Sequence, residues 1–387
     1  MTIRNTPHTR RSSFLRRAKW IATIMAASMA LAGCTNAVSE TATSSSAETA
    51  PVISGDICAD YSGKTIGVVH LTSADENEGT LVAALRQASE KAGLNWTFIE
   101  SDSQGSAAKS QQAISAYVNQ GVDAIILMVV SARDVQSQLQ DAAAAGIPVF
   151  GQWSFSALDP LINSDYTVPM GMEAADLATY MYSDLYLQHP EGDIEVALVN
   201  SSADIFGPRV QIVRSLAELY PRIKIVDSAD IDFTDLNGST TRIAEAFMSK
   251  HPDLKAIWNI YPVSVTAAAQ AVIAAGKAKD IAVYGPVAQS VGIAALADPE
   301  NPFKAMPWMD FDYESFKTVE SILGKFAGLE ANRLEAFEDP APMKLFTKET
   351  AYQLNGEGVA SGIGWTQNQG AWKDPMVKSW GASFPCS

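Results

Sequence analysis

Gln120-Gly121-Val122-Asp123-Ala124-Ile125-Ile126-Leu127-Met128-Val129-Val130, followed by Ala145-Gly146-Ile147-Pro148-Val149-Phe150, sets the fold. Residues 124–130 are an unbroken apolar run of β type, the pattern of a strand covered on both faces. Residues 135–145 follow at helical spacing and stop at Gly146, the residue type that accepts a left-handed C-cap. Residues 147–150 make the next strand. A strand, a helix and a second strand in this order form a βαβ unit, and βαβ units build parallel sheets.

The pattern extends in both directions from this stretch. Upstream, Thr65-Ile66-Gly67-Val68-Val69-His70-Leu71 reads as another buried strand. Leu81, Leu85, Ala88 and Ala92 follow at helical spacing. A strand is expected over 95–99 and a helix over 107–119. Downstream, helices are expected over 170–188, 208–220, 239–250, 263–275 and 291–297. They alternate with strands over 194–199, 223–226, 256–259 and 281–284. A last strand over 304–309 precedes a helix over 314–326. The expected fold class is α/β, with two doubly wound parallel-sheet domains in tandem. Asp339-Pro340-Ala341-Pro342 then breaks the pattern. The closing residues read as loop, with Trp365, Trp372 and Trp380 expected to pack the tail onto a domain.

The N-terminus carries an address. Arg4, Arg10, Arg11, Arg16, Arg17 and Lys19 form a basic segment without an acid, and residues 20–32 are an apolar run of 13. A membrane span needs about 20 residues, so this run is the core of a secretory signal. Arg10-Arg11 near Phe14-Leu15 leaves the export route open between general secretion and the twin-arginine pathway. Leu31-Ala32-Gly33-Cys34 reads as a lipobox, with cleavage before Cys34 and diacylglycerol on its thiol. Residues 1–33 are then the signal. Residues 34–57, rich in Ser, Thr, Ala and Glu, are a flexible tether.

The whole chain carries a formal charge of −15. Loss of the six basic signal residues leaves −21, a surface that repels nucleic acid and anionic lipid. Beyond Cys34 there remain Cys58 and Cys386. An even pair in an exported chain is expected to form a disulfide. Neither has the CxxC spacing of a redox or zinc site. His70, His189 and His251 have no partner at metal-ligand spacing. No GxSxG elbow, P-loop or strand-linked GxGxxG is present. An enzyme is not expected, and no cofactor is implied.

Several motifs share an order and spacing. They are Lys64-Thr65-Ile66-Gly67-Val68-Val69, Glu90-Lys91-Ala92-Gly93, Ser101-Asp102-Ser103-Gln104, Gln120-Gly121-Val122-Asp123-Ala124-Ile125-Ile126 and Ala145-Gly146-Ile147-Pro148-Val149. Lys250-His251-Pro252-Asp253-Leu254-Lys255-Ala256-Ile257-Trp258 and Ala274-Ala275-Gly276-Lys277 continue the series. Over about residues 63–350 the chain resembles the ribose-binding-protein-like family of periplasmic sugar-binding proteins, the substrate receptors of bacterial ABC importers. The resemblance implies two lobes joined by three hinge strands, a small solute held between them by hinge closure, and ABC permease subunits as partners. It further implies a monomer held outside the cytoplasmic membrane, here by lipid at Cys34. Crossings are expected near 162–163, 308–310 and 339–342. The lobes are then 58–162 with 309–339, and 163–308 with 340–355, and a tail over 356–387 packs back on them.

The resemblance also implies a ligand site, from which this chain departs in places. Asp75, Glu76, Asn77 and Glu78 stand after the first strand, where sugar receptors carry an Asn and aromatics. Trp153 stands where they carry an Asp-Arg pair. Asp165 matches a hinge Asp, and Tyr166 replaces its neighbouring Asn. Arg209 matches an Arg that clamps ligand hydroxyls. Tyr261 and Trp308 replace polar residues. A sugar or polyol is the favoured solute. Aromatic walls with acids also suit an aromatic or amine-bearing solute, through cation–π contact. For Trp153 and Trp308 the alternative is core packing, for Arg209 a surface ion pair, and for residues 75–78 a solvated helix start. A sensing module that serves a membrane kinase is the alternative to a transport receptor.

Overall fold

The computed structural model describes residues 57–167, 170–286, 290–350 and 370–384. The signal, Cys34, the tether before Ile57, Trp365 and Cys386 lie outside the described residues.

The first lobe is built from β1 (Thr65–His70), α1 (Glu76–Lys91), β2 (Thr97–Asp102), α2 (Ala107–Gln120), β3 (Ala124–Met128), α3 (Gln136–Ala144), β4 (Val149–Gln152) and β5 (Asp165–Tyr166). Its sheet runs β2-β1-β3-β4-β5 with every pairing parallel. All five residues of β3 are buried, as expected for a central strand with helices on both faces. Asp75 caps α1 by accepting from the Asn77 N–H at 2.9 Å, and Gly121 ends α2 in the left-handed region at φ 67°. Both ends follow from side-chain chemistry legible in the sequence.

The second lobe repeats the plan. It holds α4 (Met170–Gln188), β6 (Ile194–Asn200), α5 (Gly207–Ala217), β7 (Ile223–Asp230), α6 (Leu236–Lys250), β8 (Leu254–Asn259), α7 (Pro262–Ala274), β9 (Ala282–Tyr284) and α8 (Ser290–Ala297). The sheet order is β7-β6-β8-β9, again parallel. Two α/β lobes result, each built on one parallel sheet.

The chain then enters β10 (Ala305–Met309), returns through α9 (Phe311–Phe326) and the short α10 (Glu335–Glu338), and leaves along β11 (Met343–Thr347). β10 and β11 pair antiparallel, from Ala305 opposite Thr347 to Met309 opposite Met343. Between these two strands α9 packs against α1, β4 and β5 of the first lobe.

Three points differ from the sequence expectation. β5 adds to the first sheet, so the chain leaves that lobe after Tyr166 rather than at residues 162–163. Two residues, one of them an acid, show no apolar alternation, and Asp165 is accommodated only because Ser154, Ser156 and Thr167 all donate to it. Gly151 beside it has no room for a side chain: a Cβ there would lie 2.3 Å from Ser154 Oγ. Second, β2 starts at Thr97, since Asn95 holds positive φ of 52° and turns the chain. Third, the tail is not loop throughout: Lys373–Ser383 forms α11. Its Val377 and Trp380, one helical turn apart, are fully buried against the first lobe. Trp372 donates to Asp310 Oδ2 at 3.0 Å and packs edge-on to Tyr313 and Phe316. Both described tail tryptophans therefore pack the tail onto the lobe.

Candidate ligand cleft

In an open parallel sheet, loops leaving the carboxyl ends of strands converge on one side and form a crevice. Here both sheets aim those ends at the same cavity. After β1 come Asp75, Asn77 and Glu78, after β3 Val129, and after β4 Trp153. From the second lobe come Phe206 and Arg209 after β6, Tyr261 and Pro262 after β8, and Pro286 after β9. Phe311, at the start of α9, completes the wall. The lobes stand close, leaving about 30 Å³ between them, room for little more than a water molecule.

Backbone strain falls on two of these wall residues. Val129 and Trp153 hold φ of 57° and 60°, and Phe155, which lines a neighbouring groove, holds 53°. For side chains of this bulk the left-handed region costs about 1–3 kcal/mol each. The surroundings fix Trp153 there: its indole N–H donates to the Glu314 carboxylate, and its ring lies 5.9 Å from that of Phe311. Strand ends bent this way turn side chains into the crevice instead of along the sheet.

Electrostatics divide the cavity in two. On one side, Arg209 is only 3 % exposed. It donates to Glu173 Oε2 at 2.5 Å and to the Ile260 carbonyl at 2.9 Å. Its charge is therefore balanced within the second lobe. On the other side Glu78 is fully buried. It accepts from the Thr72 N–H at 3.3 Å and from the Tyr261 hydroxyl at 3.0 Å. Tyr261 belongs to the other lobe, so this hydrogen bond crosses the cleft. His70 Nδ1 lies 3.5 Å from Glu78, and His70 Nε2 lies 2.8 Å from Glu100. Burial, with Asp75 nearby, pushes the Glu78 carboxyl up to about 7, against the opposing pull of His70 and Tyr261. Burial likewise lifts Asp75 to about 6 although Asn77 and Tyr261 favour its charged form. Burial alone lowers a histidine, but the carboxylates of Glu78 and Glu100 leave His70 raised. A closed cleft thus makes its two acids hold protons more tightly than free carboxyls do.

Six residues singled out from the sequence meet at this cavity: Asp75, Asn77, Glu78, Trp153, Arg209 and Tyr261. Four do not line it. Glu76 is exposed in the first turn of α1. Asp165 is buried and lines a separate, open groove of about 480 Å³ beside Phe155, Leu334 and Phe337. Tyr166 donates its hydroxyl to the Asp339 carbonyl and packs on Tyr313, which places it at the hinge. Trp308 lies in β10 opposite Lys344, also in the hinge. Sequence reasoning missed Phe206, Phe311, Glu173 and Glu314. Phe206 adjoins the quoted Arg209 and was legible as a strand-end aromatic. Glu173 and Glu314 sit on helices, where an acid reads as a surface charge, and nothing local marks them as buried.

The periplasmic binding protein domain matches residues 66–302. This chain belongs to the periplasmic binding protein family. Periplasmic binding proteins work outside the cytoplasm, and solved relatives are subunits and solute-binding proteins of ABC transporters. An ABC sugar transporter subunit from Rhodobacter sphaeroides is 25% identical with a TM-score of 0.64, over 74% of this chain and 99% of that one. An ABC transporter solute-binding protein from Agrobacterium vitis with bound allitol is 20% identical with a TM-score of 0.67, over 76% and 98%. A sugar ABC transporter protein from Yersinia enterocolitica is 17% identical with a TM-score of 0.70, over 87% and 99%. The last two show the shared fold. No curated protein matches the chain. Among the described residues no helix is long and apolar enough to cross a membrane, and no group of His, Cys, Asp and Glu is arranged to hold a metal.

Proposed function

We propose that this chain is the lipid-anchored solute receptor of an ABC importer. It captures a small sugar or polyol between its lobes and delivers it to a permease. The observation that supports this most directly is that strand-end residues of both sheets share one cavity, and Tyr261 of one lobe already reaches Glu78 of the other. Solute entering such a cavity holds the lobes together by hinge closure. β10 and β11, with the segment after Tyr166, are the three connections that bend. Planar polar groups beside aromatic rings suit a hydroxylated ring with an apolar face, and the Agrobacterium relative carries a polyol.

The anchor rests on the lipobox ending at Cys34. The pairing of Cys58 with Cys386 is likewise proposed. Cys58 is buried in the same core as Phe384, two residues before Cys386, so the bond ties the tail beside the first lobe.

A thermal-shift screen over sugars and polyols tests the receptor. A ligand that binds only the folded protein raises the melting temperature by mass action. At least one compound is expected to do so with a shift that grows with concentration. No shift with any of them at millimolar concentration contradicts the assignment.

A further inference from the structure

The cleft has a charge imbalance that a neutral sugar does not answer. Asp75 and Glu78 both line the cavity and both are nearly fully buried. The cations on this side are His70, shared between Glu78 and Glu100, and Arg86, which pairs with Glu100. Arg86 and Glu100 are half-exposed and balance each other, so His70 is the one cation beside the two buried acids, and Asp75 forms no ion pair among the described residues. Glu76 on α1 and Asp102 on β2 lie nearby and only add to the deficit. Arg209 does not help, since Glu173 balances it. Buried charge without a counter-charge is unfavourable, and the acids answer this by holding protons more tightly than usual.

A second, independent feature points to the other end of the ligand. Arg209 Nε has no hydrogen-bond partner among the described residues, although the side chain is buried and lines the cavity. A buried N–H calls for an acceptor. Trp153, Phe206 and Phe311 form apolar walls between the two ends.

We propose that the cleft takes a hydroxylated solute with one protonated amine, an amino sugar or amino polyol. Its ammonium sits at Asp75 and Glu78, and a hydroxyl oxygen accepts from Arg209 Nε. The proposal rests on the receptor function above and narrows its ligand class. The Tyr261 hydroxyl now holds the place at Glu78 that the ammonium takes, and the lobes part to admit the solute. Aromatic rings add cation–π attraction for the ammonium.

Matched pairs test this on the purified full chain by calorimetric titration: D-glucosamine with D-glucose, D-galactosamine with D-galactose, and glucamine with sorbitol. N-acetyl-D-glucosamine serves as the bulky uncharged control. In at least one pair the amine is expected to bind about tenfold tighter than its neutral partner, the worth of one charge-assisted contact. Glu78→Gln is expected to bring that ratio close to one. The tighter binding is further expected to release protons, seen as a heat that varies with buffer ionisation. Neutral partners that bind as tightly as the amines overturn the amine while leaving the receptor standing. Amines that bind no better than N-acetyl-D-glucosamine overturn it too. If no compound binds at all, the receptor assignment fails and the amine with it.

Discussion

Glu78 is where burial and function meet most sharply at the residue scale. Its carboxyl ordinarily titrates near 4.5, and full burial moves it to about 7. The folded protein then holds this proton more tightly than the unfolded chain does. The stabilisation from that proton is complete below about pH 4.5 and is lost as pH rises through about 7. Glu78→Gln keeps the shape and removes the titration. The variant is expected to melt with the wild type at pH 4 and above it at pH 8, by up to roughly 3 kcal/mol. Melting curves at the two pH values check this, and a variant less stable at pH 8 contradicts it. The same scale shows what the sequence carried. Asp75, Asn77, Glu78, Trp153, Arg209 and Tyr261 were legible because each follows a recognisable parallel strand, and strand ends of such sheets converge. Asp165 and Tyr166 were read at the first hinge and also as ligand residues, yet neither lines the cavity, because they form β5, a strand too short to read. Glu314, which fixes the Trp153 ring, was beyond reach, since helical periodicity does not tell a buried acid from a solvated one.

At the scale of elements, the long strands and helices were legible from runs of β-branched residues and from glycine stops such as Gly121. Other pieces were not: β5 and α10 have too few residues to show a period, and β11 follows directly on the break at Asp339-Pro340-Ala341-Pro342. α11 was hidden by Gly, Asn and Pro around it, and its helicity comes from tertiary packing of Val377 and Trp380 rather than from propensity. This gives a direct expectation. Trp380 is fully buried between α11 and the first lobe, near Phe316 at a ring distance of 6.1 Å. Trp380→Ala is expected to cost about 3–5 kcal/mol and to lower the midpoint of a urea melt. An unchanged midpoint contradicts the docking of α11. The strained turns at Val129 and Trp153 belong to this scale as well. They are the ends of β3 and β4, and they convert two central strands into the floor of the cleft.

For the whole molecule, two copies of one α/β plan face each other across their strand ends, and the connections that cross between them include an antiparallel pair. The family match agrees with a place outside the cytoplasm, and the lipid anchor at Cys34 remains part of the proposal. The central claim is that one solute is held between the lobes against Trp153. The direct measurement is a calorimetric titration of the wild type and of Trp153→Ala with the tightest ligand from the solute screens. The wild type is expected to bind one solute per chain. Trp153→Ala, with an unchanged circular dichroism spectrum, is expected to bind at least about tenfold more weakly, as loss of a buried aromatic wall implies. Equal affinity in the two proteins contradicts the account.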